Sequence, residues 1–218
     1  DTPNLYRLRT SVYLNGKLCD AVVSRIGIRS IEFRGADGLY INGKPFGDKL
    51  MGVNRHQDYA YIGNAVPNNL HWLDVKKMRD AGFRIIRSAH YPQDPAFMDA
   101  CDELGMFIIV ATPGWQYWNP EPVFEERILS DIRNMVRRDR NHPSVLLWEP
   151  VLNETAFPES FAQNAYRATH EEYPAPGCYA AIDDKSKGAM GYDVVYTAPK
   201  NEAFYRNAGK ILLYPGVW

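Results

Sequence analysis

The stretch Asp139-Arg140-Asn141-His142-Pro143-Ser144-Val145-Leu146-Leu147-Trp148-Glu149-Pro150-Val151-Leu152-Asn153-Glu154 decides the fold. It leaves a polar turn, runs through the wholly apolar Val145 to Trp148, and finishes on an amide followed by a carboxylic acid. A run without polar alternation fits a strand buried on both faces of a parallel sheet. When such a sheet closes into a barrel, functional groups gather at the C-terminal ends of its strands. Glu154 therefore falls where a catalytic acid would sit.

Working outward, short apolar strands alternate with amphipathic helices. Leu50 to Val53 leads into a helix over Leu70 to Ala81, with Leu70, Leu73 and Met78 at helical spacing, Asn69 as cap and Gly82 at its end. Arg84 to Arg87 is the next strand. Asp94-Pro95 opens a helix closed by Gly105, and Phe107 to Ala111 is again all apolar. Pro122 begins a helix carrying Phe124, Ile128, Ile132 and Met135, Pro158 to Tyr173 is helical, and Cys178 to Ile182 and Val194 to Tyr196 are strands. Such alternation implies a parallel sheet. No Gly-x-Gly-x-x-Gly or phosphate loop follows the first strand, so a barrel is favoured over a nucleotide-binding open sheet.

The fold class is thus α/β, a (β/α)8 TIM barrel. A complete one takes about 250 residues, and about six strands follow Arg34, so the reading is an incomplete barrel of about six of eight units. Before Arg34 the pattern is different. Leu5 to Leu14 and Lys17 to Ile26 flank Asn15-Gly16, a strong hairpin signal, and Leu39 to Ile41 is followed by a second, Asn42-Gly43. This β module is too small for a sandwich of roughly seven strands. It is expected to be the end of a larger β domain over residues 1–34, with the barrel over 35–218.

The composition is ordinary for a globular chain: 218 residues, 45% hydrophobic, 23% charged and a net charge of -1. There is no bulk electrostatic attraction to nucleic acid or anionic membrane, and no apolar run of membrane-spanning length. A soluble chain is expected, periplasmic or secreted if a signal peptide lies upstream. Cys19, Cys101 and Cys178 are odd in number and far apart, which argues against a disulfide framework and a zinc site. The charge-rich Arg133 to Arg140 run continues a helix among acidic neighbours and is taken as a solvated face.

Polar residues cluster just after the strands. His56 and Arg55 end the first, Arg87, His90 and Tyr91 the second, Asn153-Glu154 the run after the fourth, and Asp183-Asp184 the fifth. One such residue would mean little, since Arg55 and Arg87 could simply tie the rim together and Asp183 could cap its own turn. Several strand ends converging with His, Arg, Asn and carboxylates is what an active site on a barrel requires.

These motifs carry a resemblance. Asp139 to Glu154, with Arg87-Ser88-Ala89-His90-Tyr91-Pro92 and Gly52-Val53-Asn54-Arg55-His56, resembles the catalytic barrel of glycoside hydrolase family 2, which holds β-galactosidases, β-glucuronidases and β-mannosidases. The opening segment resembles the end of the immunoglobulin-like sandwich that precedes that barrel. The resemblance implies hydrolysis of terminal β-glycosidic bonds by a retaining pair of carboxyl groups about 5 Å apart. It makes Glu154 the acid/base, with a raised pKa, and Asn153 the partner of the sugar 2-hydroxyl. It makes His90 and His56 sugar contacts, and Arg55 and Arg87 rim residues that orient carboxylates; Tyr91 falls within the same matched stretch.

Several departures matter. The family nucleophile is a glutamate ending strand seven, but no Asp or Glu follows Glu202, and Lys210 to Tyr214 leads into Pro215-Gly216-Val217-Trp218. The chain alone is therefore expected to be inactive. Some members bind magnesium after strand three, where this chain has Ala111-Thr112-Pro113-Gly114-Trp115-Gln116-Tyr117-Trp118 with no charged ligand, so no cofactor and no metal is expected. The aromatics there suit either stacking on sugar, for Trp115 and Trp118 above all, or capping the barrel mouth. Glu149 follows the strand tryptophan where the family more often has Ser or Gly, making it a rival carboxylate. The expected partner is a β-linked carbohydrate, β-galactoside first, then β-glucuronide or β-mannoside, with no nucleic acid or membrane partner and a homo-oligomer left open. The alternative from another class is a non-catalytic carbohydrate-binding barrel or pseudoenzyme.

Overall fold

A computed structural model describes residues 3–47, 50–152 and 154–197, together with Ala203 and the strand Leu212–Leu213. It begins with a long hairpin of β1 (Tyr6–Leu14) and β2 (Lys17–Ile26). The turn is made by Asn15 and Gly16, both at positive φ (48° and 77°), as the Asn-Gly signal requires. A small antiparallel sheet of β3 (Ile31–Phe33), β4 (Leu39–Ile41) and β5 (Lys44–Pro45) follows, turning through Asn42 and Gly43 in the same way.

The rest alternates. β6 (Gly52–Arg55), α1 (Asn68–Asp80), β7 (Ile85–Ser88), α2 (Pro95–Leu104), β8 (Phe107–Ala111), α3 (Pro122–Asp139) and β9 (Val145–Glu149) come in order. Then come α4 (Glu159–Glu172), β10 (Ala181–Asp183), β11 (Val194–Tyr196) and β12 (Leu212–Leu213). β6 to β9 pair in parallel in sequence order, β10 to β12 do the same, and a parallel bridge between Trp148 and Ala180 joins the two arcs. The chain therefore contributes a run of parallel barrel strands reaching the Leu212–Leu213 strand, one more than the six expected, in an arc that does not close among the described residues.

Local chemistry explains the element ends. At α2 the Asp94 side chain accepts from the Ala96 N–H at 2.8 Å, Pro95 takes the first helical position, and Gly105 ends the helix at φ 67°. Such a cap is worth about 1 kcal/mol. At α1 the cap position is Pro67, and Asn69 lies inside the helix, so the expected Asn69 cap is corrected. β9 is buried along its whole length, with Leu146 and Leu147 on one core cluster and Val145 and Trp148 on another. That is the two-faced burial its sequence demands.

Two arginines of the charged run on α3 bind α4: Arg137 makes a two-pronged contact with Glu172, and Arg133 reaches Glu171 at 3.1 Å. At the opposite end of the strands from their C-termini, Asp102 accepts from the Ser144 N–H at 3.0 Å and pairs with His142 at 2.6 Å. This ties α2 to the start of β9. Asp99, Asp102 and His142 have the spacing of a cation cluster, but Asp99 is held by Arg25 at 2.8 Å and Asp102 by the two contacts just given. Among the described residues no helix is long and apolar enough to cross a membrane.

Candidate active site

Strand register decides which side chains meet. Asn54 pairs with Arg87 and Arg55 with Ser88 across β6 and β7. Successive strand residues face opposite sides. Arg87 turns to the interior, where its Nε and Nη2 grip both oxygens of Glu149 at 2.7 and 2.5 Å. Tyr196 from β11 adds a hydroxyl at 2.5 Å to the same carboxylate. Glu149 is 0% exposed and Arg87 only 4%. Burial works against the charge on Arg87, yet the charge and hydrogen bonds of Glu149 outweigh it and push the guanidinium above its ordinary pKa. Burial, with Glu149's charge, pushes the Tyr196 phenol well up, so it stays a donor.

Arg55 takes the other side. Its guanidinium is buried against the helices, bonded to Gln93 at 2.5 Å, His71 at 3.1 Å and Asp74 of α1 at 2.9 Å, and lies 4.4 Å over the Phe97 ring. The expected rim role is corrected: alternation along β6 sends Arg55 outward, and the inward neighbour is Asn54, whose buried Oδ1 has no hydrogen-bond partner among the described residues. The sequence reasoning passed over Asn54. Its register opposite Arg87 was the missing signal.

Above the Arg87–Glu149 pair the rim gathers most of the remaining candidates. His90 follows β7 through a cis Ala89–His90 peptide and is 6% exposed. His56, exposed after β6, meets it edge-on at 5.4 Å and meets Tyr91 at 6.2 Å. Tyr91 is fixed by accepting the Gln57 N–H at 2.9 Å. Burial, then the facing Arg87 charge, lowers the His90 pKa to about 4, so its ring is neutral at neutral pH.

Glu154 lies over this group at positive φ (48°). Its Oε2 accepts from Trp115 Nε1 and from Gln116 Nε2, each at 3.0 Å. The Trp115 ring, 51% exposed, also rests on His90 at 5.3 Å. The Trp115 bond leads the causes that hold the Glu154 carboxyl below its ordinary pKa, with Gln116, His90 and Arg87 acting the same way. The expected raised pKa depends on an apolar rim and a nearby second carboxylate; the described residues around Glu154 supply hydrogen-bond donors in place of the apolar rim. Gln116 is a second residue the sequence reasoning did not single out. A polar side chain in an aromatic loop was its only signal.

Two candidates are held elsewhere. Trp118 is partly buried and packs against the core between α3 and α4, with Phe124 at 5.4 Å and Phe161 at 4.9 Å, which fits the capping reading. Asp183 stands beside Tyr196 at the end of β10, where its Oδ1 accepts from the Lys185 N–H at 2.7 Å and caps the turn; burial raises its pKa. Asn153 lies outside the described residues. A cavity of about 720 Å³ opens at the far end, between Arg29, Phe46, Arg84 and Pro143, away from this cluster.

Comparison with known proteins agrees with the geometry. Residues 31–175 match the family model described as glycosyl hydrolases family 2, TIM barrel domain. A β-galactosidase of Thermoanaerobacterium thermosulfurigenes is 36% identical over 176 residues, 80% of this chain and 24% of that protein. A putative β-glucuronidase of Formosa agariphila is 34% identical over 146 residues, 67% of this chain and 18% of that protein. The solved Parabacteroides merdae β-glucuronidase superposes with a TM-score of 0.83 at 22% identity, over 98% of this chain and 29% of that one, a likeness of fold. The chain thus spans well under a third of the length of each of these proteins.

Proposed function

The chain belongs to glycosyl hydrolase family 2, within its TIM-barrel domain, and from that premise we propose that Glu154 is the acid/base of a retaining β-glycosidase. The observation that carries this is the position of Glu154 itself. It is an exposed carboxyl on the run after β9, facing the neutral His90 and the Arg87 strand end. Glu149 makes a poor rival, because Arg87 and Tyr196 occupy its oxygens and the group is buried.

In the proposed reaction the Glu154 carboxyl protonates the glycosidic oxygen as the bond to the sugar breaks, and a second carboxyl about 5 Å away attacks the anomeric carbon. Glu154 then takes a proton from the water that releases the sugar. His90 and His56 offer ring nitrogens to the sugar hydroxyls, and Asn153 is proposed for the 2-hydroxyl. The buried Arg87–Glu149 pair holds the floor of the site rigid. No Asp or Glu follows Glu202, so the 218-residue chain by itself is expected to hydrolyse no aryl β-glycoside.

A β-galactoside is the proposed substrate class, supported by the 36% identity to a β-galactosidase; β-glucuronide comes second, through the putative β-glucuronidase. We keep the domain division at residues 34/35 as part of the same proposal. The test is Glu154→Gln in the full-length protein, assayed on aryl β-galactosides and β-glucuronides. Loss of general acid catalysis should lower kcat/KM by about 10²–10⁴. Full activity in that variant would remove Glu154 from the role.

A further inference from the structure

We infer that Trp115 and Gln116 are positioning residues for Glu154: their side chains clamp Oε2 of its carboxyl and so fix Oε1 as the oxygen that takes and gives the proton. The inference deepens the acid/base reading of Glu154 and rests on it.

The geometry is specific. Both donors converge on Oε2, at 3.0 Å each, and leave Oε1 aside. An indole N–H can only donate. Two donors on one oxygen favour a carboxylate, and a proton taken up on Oε1 leaves Oε2 a carbonyl oxygen that still accepts both.

The indole is fixed twice, by its edge on Glu154 and by its face on His90. The loop that carries it is fixed as well. Gly114 lies so close to the chain leading to Glu154 that a Cβ there would stand 2.5 Å from Leu152 Cδ2, and Leu152 is buried. Gly114 and Gln116 both adopt positive φ, 125° and 57°. The turn is thus shaped to bring two consecutive side chains onto one carboxyl.

Among the described residues, the charged and titratable groups that face Glu154 from the strand ends are Arg87 and His90. Both favour its ionised form, and Arg87 is itself matched by Glu149. The clamp adds to that bias, and the lowered pKa has the Trp115 bond as its leading cause. A general acid must hold a proton before it can give one. Oε1, which neither donor touches, is the oxygen left to hold it.

The test titrates the 218-residue chain by NMR, following the Trp115 indole N–H (identified by its absence in Trp115→Phe) and the Glu154 carboxyl carbon. The clamp predicts that both signals move with one midpoint, below the roughly 4.3 of a free glutamate. It predicts that Trp115→Phe, which keeps the ring on His90 but removes the donor, raises the carboxyl midpoint, and that Gln116→Ala does the same. Glu154→Gln should leave the indole signal flat over that range. A midpoint at or above that of a free glutamate, or one unchanged in both loop variants, overturns the clamp. Retained activity of Glu154→Gln in the full-length protein would sink the acid/base role but leave these titrations as they are, so the two failures are told apart.

Discussion

Removing one partner of the Arg87–Glu149 pair gives the sharpest test of how this barrel is held together. Arg87 is 4% exposed and Glu149 0%, and the carboxylate accepts two bonds from the guanidinium and one from Tyr196. Arg87→Met deletes two of those three bonds and strands a carboxylate in the barrel interior. Breaking a buried pair in this way costs about 3–5 kcal/mol, because the remaining charge has no counterion. For a chain of this size about 1 kcal/mol corresponds to 2–4 °C, so the melting temperature should fall by about 6–20 °C. Glu149→Met should cost a similar amount, since it takes from the buried Arg87 the carboxylate that grips it at two points. The double variant Arg87→Met/Glu149→Met removes both charges and should recover most of the loss, as replacement of a whole buried pair by apolar groups is often close to neutral. Urea denaturation followed by far-UV circular dichroism, run as a double-mutant cycle, measures the coupling. Single variants that lose under about 1 kcal/mol, or a double variant as unstable as the sum of the two, would show that the pair does not carry the interior charge balance argued for it.

Three further outcomes follow from particular contacts. The His90 pKa is lowered to about 4 by burial and Arg87, while an unfolded histidine titrates near about 6.5. Between those values the unfolded chain binds a proton that the folded one does not, so stability falls as pH drops through that window. His90→Asn should flatten that part of the urea-midpoint curve, and parallel curves would refute the assignment. His142 has the opposite sign: burial opposes its charge, but the hydrogen bond and charge of Asp102 prevail and raise its pKa. Its contribution is full below about 6.5 and is lost as pH rises through the folded value, and Asp102→Asn should abolish that dependence in the same assay. Gly114→Ala forces a side chain onto Leu152 at positive φ and should cost about 2 kcal/mol or more in thermal unfolding. A neutral result would mean that the turn is not held against the Glu154 segment.

The parallel fold could be read from residue type because few local signals conflicted. Val145 to Trp148 has no polar side chain, so it had to be covered on both sides, and Asp94-Pro95 with Gly105 marked a helix at both ends. Direction was harder. Asn54 and Arg55 are both polar, and in a sheet covered on both faces no alternation of polarity shows which of them points inward; pairing with β7 decides it. Trp115 and Trp118 illustrate the same limit. They sit three residues apart, yet one rests on His90 and the other on Phe161, a partner from a distant helix. The donors around Glu154 were hidden for a related reason. Its surroundings come from a loop some forty residues earlier in the chain, and side-chain donors there are invisible to strand patterning.

The β1–β2 hairpin bears on how this chain behaves in a tube. Tyr6 pairs with Ile26 and Leu8 with Ser24, while Thr10 opposes Val22, so one side of the ribbon carries Tyr6, Leu8, Val12 and Val22, all exposed. Among the described residues this apolar ribbon has no further strand beside it, and such an edge is a template for strand addition by a second chain. Light scattering should rise steeply with protein concentration under conditions where the barrel remains fully folded, and lysine or glutamate at Leu8 and Val22 should suppress it.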